Sequence, residues 1–165
     1  MNTKTAIRRV LTLVIALSLP GVSHAATLPV SNAPQSKEEA IAKVSKLLSE
    51  SGQIHRKTGE STWLIERPGK SSILVAAGNE FVVLGIIVAV KKNIRATADL
   101  SFKLLKLNHN LDYVKAGYDD DDDLFVRNEL RVRTIDLASF KAMIQDVIAG
   151  ADKAQQVVNP FLISP

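Results

Sequence analysis

The sequence predicts an α+β domain in which an antiparallel sheet is flanked by helices, in the order helix, strand meander, helix, β-hairpin, helix. Two observations carry this prediction. Three segments place apolar residues at the helical period, and the segments between them are short extended runs separated by tight turns. Groups of strands joined by tight turns and alternating with single helices are typical of α+β domains with antiparallel sheets.

The first helix is predicted to begin after Ser36. The Ser36 hydroxyl and the Glu39 carboxylate, three residues apart, form the pattern of a capping box. Gly52 supplies the stop signal at the other end. Between these signals the apolar residues recur at helical spacing, at Ile41, Val44, Leu47 and Leu48.

The period then changes from helical to extended. Short strands are predicted over residues 54–58, 62–67, 73–77 and 81–90, separated by turns near Gly59, at 67–70 and at 78–79. The last of these runs is apolar and rich in β-branched residues. It is therefore predicted to be a strand near the centre of the sheet, buried on both faces or nearly so. Gly85 within it predicts a bulge or a close backbone approach.

The second helix is predicted over residues 98–111, because Leu100, Leu104, Leu107 and Leu111 form one stripe. Strands over 113–118 and 124–133 follow, with Asp119 to Asp123 as the hairpin loop between them. Charged and apolar residues alternate in the second of these strands, so one of its faces is predicted to be wet.

The third helix is predicted to begin at Asp136, a good N-cap residue, and to run to about residue 158. Its predicted core face consists of Leu137, Phe140, Ile144, Val147, Ile148 and Ala151. Residues 36–158 are therefore predicted to form a single domain, and residues 159–165 a loose C-terminal tail.

Residues 1–25 are predicted to be a cleavable signal peptide. Three cations (Lys4, Arg8 and Arg9) precede the apolar run Val10 to Leu19, and small residues place the cleavage between Ala25 and Ala26. The run is too short to span a bilayer, so no stable membrane anchor is expected after cleavage. The expected location is periplasmic or secreted. Residues 26–35 are predicted to be a flexible N-terminal arm.

Composition restricts the function classes. Without the three cations of the signal peptide, 18 Lys and Arg face 17 Asp and Glu, so the balance gives no basic surface for nucleic acid. The chain contains no Cys, which excludes disulfides and thiolate metal sites.

The sequence predicts no catalytic, cofactor-binding or metal-binding residues. His55 and His109, the histidines outside the predicted signal peptide, have no ligand or base partner at helical or strand spacing. There is no Gly-x-Ser-x-Gly elbow and no glycine-rich phosphate loop. Trp63, in a predicted strand, is interpreted as a core residue rather than a ligand platform.

The aspartate run leaves an alternative open. Asp119, Asp121 and Asp123 match the first three ligand positions of an EF-hand loop, but Leu124 and Leu130 occupy its glycine and glutamate positions. The run is therefore interpreted as a solvated hairpin tip, with a calcium site as the alternative.

The stretch Leu104-Leu105-Lys106-Leu107-Asn108-His109-Asn110-Leu111 resembles the Leu-Leu-x-Leu-Asn-x-x-Leu signature of the YbjN-like, type III secretion chaperone-like family. The acidic hairpin, the strand of alternating charge and the Asp-Leu-x-x-Phe helix start follow in the family's order. The resemblance implies a concave sheet with flanking helices that is often dimeric. It also implies binding of unfolded segments of secreted proteins without chemistry, and a capping role for Asn108, whose side chain bonds backbone near the helix end.

These observations predict an exported, non-enzymatic, chaperone-like module that binds a protein or peptide and forms a homodimer. The alternative is a periplasmic small-ligand-binding protein or an enzyme with a dispersed site. The strand at 81–90 carries a further expectation. If the chain's own helices do not cover its second face, a twin subunit or a partner will.

Overall fold

A computed structural model describes residues 36–163, and the predicted order of elements is confirmed there. The predicted signal peptide, its cleavage site at Ala25 and Ala26, and the predicted arm at 26–35 lie outside the described residues. The helices and strands are α1 (Lys37–Ser51), β1 (His55–Lys57), β2 (Thr62–Ile65), β3 (Ile73–Ala77), β4 (Phe81–Ala89), α2 (Ala98–His109), β5 (Lys115–Tyr118), β6 (Leu124–Arg131) and α3 (Leu137–Val158).

The six strands form one antiparallel sheet in the order β1-β2-β3-β4-β6-β5. The first four strands are a meander, and the β5–β6 hairpin joins it through β6, which pairs with β4. β4 is therefore an inner strand with a neighbour on each side, as its apolar composition predicted. β1 and β5 are the two edges.

The prediction that β4 is buried on both faces or nearly so is wrong for its second face, where the side chains are partly buried and Ile87 is exposed. Val82 and Leu84 are fully buried, but Ile87, which points to the other side of the sheet, is 46% exposed. The reason is that α1 and α3 pack against the face that carries Val82 and Leu84, and the alternation of the strand then turns every second side chain away from the helices.

The irregularity predicted at Gly85 lies elsewhere. The β4–β6 register shifts between Ile87 and Ala89, whereas Gly85 pairs regularly with Leu74 on one side and Arg127 on the other. The alternative, a close backbone approach at Gly85, is also wrong, because a Cβ atom there would lie 3.6 Å from the nearest backbone atom, the Val126 carbonyl oxygen.

The predicted helix caps are confirmed. The amide of Glu39 donates to the Ser36 hydroxyl at 3.1 Å, and the Ser36 amide donates to the Glu39 carboxylate at 3.0 Å. Gly52 ends α1 in the left-handed region at φ 78°. At α3, the Asp136 carboxylate accepts from the Ser139 amide at 2.7 Å, and this hydrogen bonding lowers the pKa of Asp136.

Helix α3 lies across β4, β5 and β6 and buries the longest apolar face of the domain. The predicted members Phe140, Ile144, Val147 and Ala151 are buried, while Leu137 and Ile148 are only partly so. None of the helices within residues 36–163 combines the length and apolar character needed to cross a bilayer.

The prediction of a loose tail is wrong for residues 159–163. Asn159–Phe161 form a 3-10 helix, and Leu162 makes a β-bridge with Ile94. Two backbone bonds hold the segment, because the Arg95 amide donates to the Phe161 carbonyl and the Ile163 amide to the Asn93 carbonyl, both at 2.9 Å. These partners are more than 60 residues away in sequence, so no local sequence pattern predicts the contacts.

Candidate functional site: the open face of the sheet

The sheet has one face covered by helices and one face open to solvent within the described residues. On the covered face, side chains such as Ile65, Val75 and Leu84 have no exposed surface. On the opposite face, Leu74 and Ile87 are each almost half exposed. We call this second side the open face; its apolar members are Leu64, Leu74, Ala76, Val83, Ile87 and Phe125.

A groove of about 550 Å³ runs over the open face. Its walls are strand side chains, mainly Leu64, Leu74, Ile87 and Phe125, together with residues of the loops at the strand ends. No helix residue lines it. A concave, mostly apolar surface of this size on a folded domain is typical of a binding site.

Gly85 forms the floor of the groove. It lies in a row across the strands between Leu74 on β3 and Arg127 on β6, so the row has a notch at its centre. A Cβ atom at this position would meet only the Val126 carbonyl oxygen at 3.6 Å and the Arg127 Cβ at 3.9 Å, which is ordinary contact. Packing within the domain therefore does not require glycine here, and the notch is free surface.

Two arginines of β6 border the open face. The guanidinium of Arg127 lies 5.5 Å from the centre of the Phe125 ring, and that of Arg131 lies 5.1 Å from the Phe81 ring. Arg131 also approaches Glu80 at 3.8 Å. The prediction of a charged face on this strand is confirmed, but the charged residues share that face with apolar side chains of β3 and β4.

A second groove of about 570 Å³ adjoins the first near Ile86 and Ile87. It lies between the turn after β2 and the second half of α3, and its charged members are Arg67, Lys70 and Asp152. This groove is wide and more polar, and no ion pair joins its charged residues, so it has the character of a solvated cleft.

The acidic run is a hairpin loop, as predicted, and three of its five carboxylates accept hydrogen bonds from the loop itself or from Lys91. Asp119 accepts from the amides of Asp121 and Asp123 at 3.1 and 2.9 Å. Asp122 pairs with the Lys91 ammonium at 2.6 Å, and this bond raises the pKa of Lys91. Asp123 accepts from the Lys91 amide at 2.7 Å. Within residues 36–163, no three His, Cys, Asp or Glu side chains converge as metal ligands do.

The two histidines do not meet. His55 lies on the β1 edge, with its Nδ1 2.9 Å from the Gln53 carbonyl oxygen. His109 is exposed at the end of α2, beside the β5 edge. Four strands lie between the β1 and β5 edges, so the two histidines form no acid–base pair. Trp63 is buried in the core at 3% exposure, as interpreted.

Tyr118 carries a buried hydroxyl for which residues 36–163 provide no hydrogen-bond partner. Burial, and secondly the charge of Asp122, raise the pKa of this phenol. A general base must lie within hydrogen-bond distance of the hydroxyl to accept its proton, and none of the described residues does. Tyr118 therefore gives no support to the enzyme alternative.

The Asn108 side chain forms hydrogen bonds with backbone groups, as the resemblance implied. These groups belong to a strand, however, and not to the end of the helix. Its side-chain nitrogen donates to the Ala116 carbonyl at 2.9 Å, and its side-chain oxygen accepts from the Ala116 amide at 2.8 Å. Both Ala116 groups lie on the free edge of β5. The amide side chain therefore closes this edge in place of a further strand.

Helix α2 exposes a second apolar surface. Phe102 and Leu105 are 56% and 68% exposed, on the side away from the buried Leu100 and Leu104. Tyr113, just after the helix, is also exposed. The leucine stripe predicted for α2 is therefore confirmed, because Leu100 and Leu104 are buried. The sequence did not predict the exposed apolar residues on the other side of the helix.

The open six-stranded antiparallel sheet with three helices, in this element order, defines the chain as having the fold of YbjN and the type III secretion chaperones. The predicted resemblance is confirmed at the level of the fold. No family model and no curated protein sequence matches the chain.

Among solved structures, YbjN from E. coli aligns with a TM-score of 0.58 and 13% identity, over 74% of this chain and 95% of that one. A chain of the heterodimeric ExoU–SpcU complex from the type III secretion system of Pseudomonas aeruginosa aligns at 0.56 and 14%, over 70% and 97%. The Yersinia pestis type III secretion chaperone SycH, solved with a stable fragment of YscM2, aligns at 0.53 and 12%, over 70% and 98%.

Proposed function

We propose that this protein is a non-enzymatic binding module that holds an apolar segment of another protein on the open face of its sheet. The single observation that carries the proposal is the groove itself. Its apolar walls lie on strands of the sheet, and no described residue covers them. Structures of similar fold contain protein partners, including a YscM2 fragment bound to SycH, which supports a protein rather than a small ligand.

The competing proposal, an enzyme or small-ligand protein with a dispersed site, has less support in the described residues. Its natural location is the polar cleft near Arg67 and Asp152, but that cleft is open and brings no acid–base pair together. The two histidines, which lie at opposite edges of the sheet, supply no acid–base pair for an enzyme either.

The proposal includes export and self-association. Export rests on the signal-peptide pattern of residues 1–25 and implies a periplasmic or secreted protein. The exposed Phe102 and Leu105 on α2 support a homodimer through that helix. Such a dimer would leave the groove free, because no α2 residue lines it.

Export makes a direct prediction about the mature chain. N-terminal sequencing of protein recovered from a cell envelope or culture medium should begin at Ala26, because the small residues Ser23 and Ala25 precede that position. Recovery of the chain with its original N-terminus from the cytoplasm would contradict export.

The groove makes a sharper prediction at Gly85. Gly85→Val should weaken binding of short peptides with a Leu- and Phe-rich core by at least about tenfold, because the new side chain fills the floor of a central contact. The same change should leave the free energy of unfolding equal or raise it by up to about 1 kcal/mol, since valine suits a strand interior better than glycine and a Cβ atom at this position makes only ordinary contacts. Fluorescence anisotropy and chemical denaturation measure the two effects.

Leu105→Glu on α2 is the matched control. It alters the other exposed apolar surface and should leave peptide affinity unchanged. Undiminished binding by a folded Gly85→Val variant would show that the open face is not the site, and loss of binding in Leu105→Glu alone would move the site to α2.

A further inference from the structure

We infer that the segment bound on the open face carries acidic side chains next to its apolar anchor. This inference rests on the proposed function and adds the chemistry by which a partner is selected. The observation behind it is an uneven distribution of charge around the groove, in which the cations beside the notch at Gly85 have no carboxylate partner.

One row of side chains crosses the open face through the notch. From β3 to β5 it reads Leu74, Gly85, Arg127 and Lys115, so the apolar half of the row is followed by two cations. Both cations are exposed. A segment that places an apolar group over Gly85 therefore has its neighbouring side chain within reach of Arg127.

Neither cation is neutralised by the domain. Arg127 contacts the Phe125 ring and forms no ion pair with any residue in 36–163. Lys115 donates to the carbonyl oxygens of Asn108 and Leu111, both at 3.3 Å. It also forms no ion pair with a carboxylate of residues 36–163. The other two arginines on this face differ, because Arg131 approaches Glu80 at 3.8 Å and Arg56 approaches Glu66 at 3.5 Å.

The carboxylates near the groove do not offset these cations fully. Asp119 lines the groove but is held by the two amides of its own loop. Glu129 lies on the same strand as Arg127, one row further along, and forms no ion pair within the described residues. An acidic partner side chain directly beside the notch therefore meets Arg127, which lies in the same row as Gly85 and forms no ion pair, whereas the unpaired carboxylate of Glu129 lies one row away.

The contact of Arg127 with Phe125 adds geometry to the charge. The guanidinium lies over the ring, 5.5 Å from its centre, so an apolar wall and a set of N–H donors face the same space. Guanidinium groups bind carboxylates through two parallel hydrogen bonds, and the contact with the ring reduces the rotamer freedom lost on binding. The partner that fits is a protein segment in which a carboxylate directly follows a large apolar residue.

The test uses three synthetic peptides with one apolar core and Glu, Gln or Lys at the flanking positions, and the full mature chain. At low salt the Glu peptide should bind about fivefold more tightly than the Gln peptide and at least about tenfold more tightly than the Lys peptide. The differences should shrink at high salt, because exposed charge pairs are screened.

Variants assign the preference to its residue. Arg127→Glu should abolish the preference for the Glu peptide or invert it, and Glu129→Gln should raise the affinity for that peptide by about twofold. Lys141→Glu changes net charge equally at an exposed position on α3 and should leave the preference unchanged. If Arg127→Glu proves unfolded by circular dichroism, Arg127→Gln, which only removes the charge, should still reduce the preference.

The outcomes separate this inference from the proposed function. Equal affinity for the Glu and Gln peptides, with both lost in Gly85→Val, would overturn the acidic preference and leave the binding module standing. Equal loss of preference in Lys141→Glu would reduce it to an effect of net charge and overturn the inference. Absence of binding by all three peptides would overturn both, as would binding of decanoate alone, which would make the ligand a small amphiphile.

Discussion

Gly150→Ala should lower the free energy of unfolding by about 1–3 kcal/mol, although alanine is the better helix former. Gly150 lies in α3 over the sheet, and a Cβ atom there would fall 2.6 Å from the Val114 Cγ2 and 3.1 Å from the Val126 Cγ1. Both valines are buried, and their β-branched side chains have little rotamer freedom to yield. The overlap therefore outweighs the gain of about 1 kcal/mol that alanine brings to an exposed helix position.

Two comparisons isolate this contact by urea denaturation. Ala149→Gly, one residue away and exposed, should cost about 1 kcal/mol through helix propensity alone. Val114→Ala combined with Gly150→Ala should be more stable than the sum of the single effects by about 1 kcal/mol or more, because the smaller residue removes the overlap. A stabilising effect of Gly150→Ala alone would mean that α3 sits further from the sheet than the structure places it.

Asn108→Leu should destabilise the domain by about 2–4 kcal/mol. The side chain that is lost satisfies both the amide and the carbonyl of Ala116, a residue only 7% exposed, at 2.8 and 2.9 Å. Each buried backbone group left without a partner costs about 1–3 kcal/mol, less where water reaches it. The variant should also self-associate more, because an unpaired strand edge is a template for further pairing. Denaturation and light scattering measure the two effects.

Asn108→Asp refines the prediction. Aspartate keeps the acceptor for the Ala116 amide but sets a carboxylate against the Ala116 carbonyl, which raises the pKa of the new carboxyl in the folded state above its unfolded value near 4. Relative to the native chain, the variant should therefore regain stability as the pH falls through that raised pKa, when the protonated carboxyl can donate to the carbonyl.

Asn110→Leu, two residues further on and exposed, is the control and should change stability by no more than about 0.5 kcal/mol. If Asn108→Leu and Asn110→Leu had equal effects, the pairing of Asn108 with the β5 edge would contribute nothing to stability.

Local signals determined most of the secondary structure. Four of these signals act within a few residues of the chain: the capping box at Ser36, the stop at Gly52, the leucine stripe of α2 and the N-cap at Asp136. The local sequence is therefore sufficient to predict them. The meander and the hairpin followed from tight turns for the same reason. The family resemblance, which predicted the fold, also rested on short packing motifs of this kind.

Only the tertiary structure decided which surface is left open. The run at 81–90 is apolar throughout, and a pattern of that kind does not reveal that α1 and α3 cover only the side of Val82 and Leu84. The sequence did contain the conditional expectation that an uncovered second face would bind a partner, but the groove depends on which strands lie beside β4. The notch at Gly85 becomes visible only when Leu74 and Arg127, which are 53 residues apart in sequence, are placed on either side of it. The anchoring of residues 159–163 and the closure of the β5 edge by Asn108 were hidden for the same physical reason: each rests on hydrogen bonds between groups whose proximity is a product of the whole fold.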